Sequence, residues 1–233
     1  MSKNIIVIIL FSFTVLNLSA QSFLQPIEYN PRTLQWDRLR KEQLLCKNYD
    51  FACLYVPGID KPDYGYSYNR KLGKLMLVEC LSHLGVIGVK LNPDGSVQLD
   101  ADGNPIWEEL PKVKKKRYTL KLPDSLAILL KELYRLAVQT AYKDTCESDE
   151  PPILDGWTWE FFADGETGGA TFYSDNYCPS DTSKNFLIFM GIHATIERAI
   201  KTKDVHLIEK KLPEIEALLT EWRAALVLRN AKN

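Results

Sequence analysis

The sequence predicts an α+β protein in which an antiparallel β-meander and an aromatic β-hairpin pack against three to four helices. Three observations carry that reading. Between Leu75 and Leu122, short runs of β-formers are separated by clusters of Asn, Asp, Pro and Gly that favour turns. From Leu154 to Cys178, LDGWTWEFFADGETGGATFYSDNYC, aromatic residues alternate with other residues on the way to a glycine-rich tip. Elsewhere, apolar residues recur at steps of three and four, the spacing that lines one face of a helix.

Met1 to Ala20 stands apart from the fold. Lys3 supplies a positive start, Ile5 to Leu16 is a run of apolar and hydroxyl residues, and Leu18-Ser19-Ala20 ends on a small residue. This is the layout of a secretory signal peptide with cleavage near Ala20. The apolar run falls short of the roughly 18 residues that a spanning helix needs, and no later stretch is apolar enough to span. The expectation is an exported protein, periplasmic or secreted, with no stable membrane span after cleavage and residues 21–233 as a single domain. The formal net charge is −1, from 29 basic and 30 acidic residues. That balance argues against nucleic acid as a partner, which normally requires a basic face.

Residues 21–72 read as a helix followed by a tyrosine-rich loop. Asn30-Pro31 opens the helix, with Asn at the cap and Pro in the first turn. Leu34, Leu44 and Leu45 give it an apolar stripe down to Lys47. Tyr55-Val56-Pro57-Gly58 and the stretch from Lys61 to Tyr68 then supply prolines and glycines that mark a loop. Tyr64, Tyr66 and Tyr68 in that loop either pack over the core or form a binding surface, because tyrosine offers contact area at small entropic cost.

Residues 73–122 form the expected meander. Val86 to Leu91 runs into the turn Asn92-Pro93-Asp94-Gly95, Val97 to Leu99 returns, Asp100 to Pro105 turns again, and Ile106-Trp107 resumes. Arg117 to Leu122 closes the series. The spacing of Asp100, Asp102 and Asn104 is that of calcium ligands, but Gly103 directly follows the second acid and Pro111 stands where a closing Glu belongs. A hairpin turn is the reading. Lys112 to Arg117 is the basic run of the chain. It reads as a solvated strand edge whose lysines block unwanted pairing, with an anionic surface polymer as the alternative contact.

A helix follows over residues 123–143, capped by Asp124 and striped with Leu126, Leu129, Leu130, Leu133, Leu136, Ala137 and Ala141. An acidic connector leads to the hairpin of residues 154–178. Its Trp157, Trp159 and Phe161 share one face, which either covers the core or offers Trp157 and Trp159 as a platform for a glycan or a partner protein. Asp164 and Glu166 mark the tip. The C-terminal helices occupy residues 182–229, one bearing Phe186, Phe189, Ile192, Ile196 and Ile200. The next restarts at Pro213 and carries Ile215, Leu218, Leu219 and Trp222.

Export turns five cysteines into a question of disulfides. Local pairing gives Cys46–Cys53 and Cys146–Cys178, the second bracketing the hairpin. Cys80 is then left as a small buried hydrophobe.

Catalytic signatures fail one by one. Gly65-Tyr66-Ser67-Tyr68-Asn69 lacks the last glycine of a nucleophile elbow, and Ser174-Asp175-Asn176 has no accompanying Ser-x-x-Lys or Lys-Thr-Gly. Gly165 to Gly169 lacks the Gly-Lys-Ser/Thr of a phosphate loop. His83, His193 and His206 have no zinc-site spacing, and no motif implies a cofactor. Two functional expectations stand. The first is a non-catalytic, inhibitor-like binding module that presents Tyr64, Tyr66, Tyr68, Trp157, Trp159, Asp164 and Glu166 to an exported or envelope protein or a glycan. The second is a hydrolase of a cell-envelope or extracellular polymer, with a carboxylate pair drawn from Asp155, Glu160, Asp164, Glu166 and Asp175.

Overall fold

A computed structural model of the chain describes residues 24–27, 34–57, 62–82, 84, 89–103, 105, 106, 108, 113–141, 158–164, 169–173 and 184–231. The signal-like segment, Trp157, Glu166, Cys146 and Cys178 lie outside the described residues.

The α+β expectation holds. Seven antiparallel strands form one sheet: β1 (Gln25–Pro26), β2 (Phe51–Val56), β3 (Tyr64–Asn69), β4 (Lys74–Cys80), β5 (Lys115–Lys121), β6 (Thr158–Ala163) and β7 (Gly169–Tyr173). Their spatial order is β1-β7-β6-β2-β3-β4-β5. Helices α1 (Leu34–Leu44), α2 (Asp124–Thr140), α3 (Lys184–Thr202), α4 (His206–Glu209) and α5 (Leu212–Asn230) complete the described elements. Pro213 lies in the first turn of α5, where its missing N–H costs nothing.

Two expectations about the strands are corrected. The tyrosine-rich stretch is not a loop. It is β3, a central strand paired to β2 from Phe51↔Tyr68 to Tyr55↔Tyr64 and to β4 from Tyr64↔Glu79 to Asn69↔Lys74. Tyrosine alternating with Gly65 and Ser67 has the period of a strand, and its two partners are the strands just before and after it in sequence. The meander therefore begins at β2, well ahead of residue 73. The second correction concerns residues 82–112. Because β4 pairs directly with β5, from Lys74↔Lys121 to Cys80↔Lys115, residues 89–106 form an excursion from the sheet rather than rungs of it. The aromatic hairpin is present, with β6 and β7 in register from Thr158↔Tyr173 to Phe162↔Gly169.

The pleat divides the side chains between two buried layers. One face carries Phe51 and Cys53, Tyr66 and Tyr68, Leu75 and Leu77, Leu120, and Trp159 and Phe161 against α2, α3 and α5. On α2 the inward stripe is Leu126, Leu130, Leu133, Leu136 and Ala137, joined by Tyr134. The N-cap of α2 is Pro123, with no side-chain cap; Asp124 lies in the first turn, where its charge favours the helix dipole.

The other face carries Ala52, Leu54, Val78, Cys80 and Phe162 beneath Leu44, the last residue of α1, and Leu45 just after it. A Cβ on Gly65 would lie 3.0 Å from Leu45 Cδ2 and 3.1 Å from the Cys53 carbonyl, so a side chain here would crowd the chain just after α1. Ser67 Oγ accepts from the Cys46 N–H at 2.9 Å. Buried Arg40 reaches buried Asp63 at 3.3 Å.

The Cys46–Cys53 bridge is also corrected. Cys46, Cys53 and Cys80 are free thiols. Cys53 points into the helix-covered core whereas Cys46 packs with the α1 layer, so the sheet lies between the two sulfurs. Cys80 is buried in the α1 layer. Burial pushes its thiol up to about 11. Among the described residues no helix is long and apolar enough to cross a membrane.

Candidate functional site

Two places in the molecule are candidate sites: the polar centre of the aromatic core and the excursion at residues 89–106. The first is organised by His193, which projects from the middle of the apolar stripe of α3 and is 1 % exposed. Its ring lies 4.5 Å from Phe189, 4.6 Å from Phe161, 5.5 Å from Tyr134, 5.8 Å from Trp159 and 5.9 Å from Tyr66, centroid to centroid. Nδ1 is 2.5 Å from the Tyr66 hydroxyl, which is 2.5 Å from the Tyr134 hydroxyl. With Nδ1 accepting from Tyr66, the ring proton sits on Nε2, which has no partner among the described residues.

Burial sets the chemistry of this centre. It depresses His193 from 6.5 to about 3 and raises Tyr66 and Tyr134 well above the usual phenol range. Burial, followed by the charges of Glu197 and Glu160, also pushes the Cys53 thiol well up. A general base works best with its pKa near the operating pH, and a cysteine nucleophile must be a thiolate. Here every shift runs away from neutrality, so imidazole, phenols and thiol all stay uncharged. The cluster is a hydrogen-bonded core.

Its outer end is a charged rim. The Tyr64 hydroxyl donates to Glu197 Oε2 at 3.1 Å, and Lys201 Nζ donates to Glu197 Oε1 at 2.6 Å and also binds Glu79. Tyr64 packs on Tyr55 at 4.8 Å and on Trp159 at 5.8 Å. Glu79 and Glu197 thus share one lysine, an arrangement that holds α3 to the end of β4.

The residues singled out from the sequence divide as follows. Tyr66, Tyr68 and Trp159 are 0 %, 3 % and 9 % exposed, so they pack the core and do not form an outward surface. Tyr64 is half-buried. Asp164 is exposed, at φ +53°, and meets Lys131 of α2 at 2.6 Å. Of the carboxylates proposed for hydrolysis, Glu160 sits opposite Leu54 on the α1 side of the sheet, whereas Asp164 turns to α2. Those two do not converge; Asp155, Glu166 and Asp175 lie outside the described residues. Among the described residues no three His, Cys, Asp or Glu side chains gather to hold a metal ion. The Asp100 carboxylate instead accepts from the Asp102 N–H at 2.9 Å, closing a turn.

Residues 89–106, outside the sheet, form the second candidate. Three backbone bonds close a ring: Lys90 N–H to Ile106 O, Ile106 N–H to Gln98 O, and Gln98 N–H to Lys90 O, each 2.8 Å. Leu91 bridges Val97 and Leu99 bridges Pro105. Each turn ends on a glycine with φ near +80°, Gly95 at +83° and Gly103 at +82°, a conformation that costs other residues free energy. Ser96 donates to Asp94 through both N–H and hydroxyl, at 2.9 and 2.6 Å, and these bonds hold the Asp94 carboxyl below its usual range. Local hydrogen bonds therefore shape the excursion. Its Leu91, Val97 and Leu99 are 56 %, 40 % and 57 % exposed. The signal for this site was in the sequence, as aliphatic residues flanking two Asp/Asn-Gly turns, but the same pattern also describes half-buried strands.

Comparison of the chain with known protein families, with curated proteins and with solved structures finds no match.

Proposed function

We propose that this chain is an exported, non-catalytic binding protein, and that residues 89–106 are its recognition element. The observation that carries the proposal is the placement of Leu91, Val97 and Leu99 in solvent on a segment shaped by its own hydrogen bonds. A preorganised segment loses little conformational entropy when it binds, so apolar burial is available as affinity. Aliphatic side chains fit the apolar centre of a protein surface, whereas sugar rings stack on aromatic faces. An exported or envelope protein is the partner that follows. The signal-like Met1 to Ala20 supports that compartment.

The test is affinity capture from the native envelope and medium with residues 21–233, beside a Leu91→Ser/Leu99→Ser variant and an Asp164→Lys control. A protein partner held by the wild type and the control, and lost by the serine variant, is the expected result. Equal capture by all three would place recognition elsewhere, and capture of nothing would end the proposal.

A further inference from the structure

We propose that the open edge of the sheet, strand β5, is a docking site for an acidic, extended polypeptide segment that adds to the sheet as a further strand. The strand order leaves two edges. One is β1, two residues long and containing Pro26, which has no N–H to offer. The other is β5, seven residues long.

Register decides which backbone groups of β5 are open. Leu122 N–H bonds Gly73 O at 3.1 Å and Leu81 N–H bonds Lys114 O at 2.8 Å, just beyond the two ends of the β4–β5 ladder. In an antiparallel ladder, bonded and non-bonded positions alternate. Lys116, Tyr118 and Leu120 therefore turn their N–H and C=O groups to β4. Arg117, Thr119 and Lys121 turn theirs outward, where no backbone partner exists among the described residues. All three side chains are exposed.

Charge narrows the choice of partner. Lys114, Lys115, Lys116, Arg117 and Lys121 fall in a stretch without a single acid between Val113 and Pro123. Lys121 stands directly opposite Lys74, a like-charge pair that destabilises the ladder. The carboxylate opposite Lys116, that of Glu79, is engaged by Lys201. Among the described residues, the edge thus sets cations with no ion-pair partner beside backbone groups with no backbone partner. A second copy of β5 would set lysine and arginine against lysine and arginine, so the charge that keeps like edges apart also selects an acidic strand. Main-chain hydrogen bonds would supply affinity and alternate side chains the specificity, the usual division in strand addition. This surface is separate from Leu91, Val97 and Leu99, and the inference does not depend on the excursion binding anything.

The experiment uses the full mature chain and a fluorescein-labelled peptide of alternating Val and Glu, followed by fluorescence anisotropy at low ionic strength. Two control peptides run beside it, one with Lys for Glu and one N-methylated at alternate residues to remove half of its donors. The acidic peptide should bind, the lysine peptide should not, and N-methylation should weaken binding by about tenfold or more. Arg117→Glu/Lys121→Glu should abolish binding while Arg117→Lys retains it, with circular dichroism showing both variants folded. Leu91→Ser/Leu99→Ser should bind the peptide like wild type, which separates this result from the fate of the excursion. Binding that survives N-methylation would mean that the edge attracts polyanions by charge alone, and the strand-addition proposal would fall. No binding of the acidic peptide would overturn it outright.

Discussion

The helix-covered face of the sheet and the excursion at residues 89–106 treat apolar side chains in opposite ways. Between the sheet and its helices, Tyr66, Phe161 and Trp159 of the strands and Tyr134 and Phe189 of α2 and α3 close around one imidazole and are removed from water. On the excursion, Leu91, Val97 and Leu99 remain in solvent although they too flank tight turns in strand-like segments. The difference is the source of the contacts. The sheet aromatics meet helices contributed by distant parts of the chain, whereas the excursion closes its hydrogen bonds within itself. Aromatic and aliphatic side chains are buried together where distant elements meet, whereas Leu91, Val97 and Leu99 stay exposed where the chain bonds only to itself.

The largest expected effect tests the buried side. Phe161 touches Tyr134, Phe189, His193 and Trp159 at full burial. Phe161→Ala should cost about 3–5 kcal/mol, read from the urea midpoint. A loss below about 1 kcal/mol would mean that the core is not packed as described.

A second, smaller effect uses pH on the same centre. Burial depresses His193 from 6.5 to about 3, so the unfolded chain takes up the proton first as pH falls. The stability that the neutral ring contributes is complete above 6.5 and is lost progressively as pH drops towards 3. His193→Phe removes the titration, so the stability gap between variant and wild type should shift in favour of the variant between about pH 7 and pH 4. Parallel pH profiles would refute the buried, neutral imidazole.

The smallest effect belongs to the excursion. Leu91→Ser/Leu99→Ser should change stability by no more than about 0.5 kcal/mol, as surface substitutions do. A loss of several kcal/mol would show that these leucines pack in solution, and the contrast between the two regions would dissolve.

Much of this architecture was legible. The stripes of α2, α3 and α5 repeat every three to four residues, and the aromatic hairpin announces itself by alternation around glycines. Strand β3 was harder to see. Pro57, Gly58 and Pro62 crowd its approach, and a strand with Gly65 and Ser67 on one side looks like a loop until α1 is known to press against that side. Cys46 and Cys53 looked like partners because they are close in sequence, yet they sit on opposite sides of the sheet. Of the candidate binding residues, Tyr66, Tyr68 and Trp159 lost that role to burial. Leu91, Val97 and Leu99 of the excursion are instead exposed.

By itself the sequence determined the class of fold and the places of the helices and hairpin, since each depends on local period and composition. The tertiary structure decided which face of each strand is buried, that His193 is neutral, that three thiols are free and that β5 is an edge. Those properties depend on neighbours distant in the chain, and a period of two reads the same whether the facing surface is a helix or water.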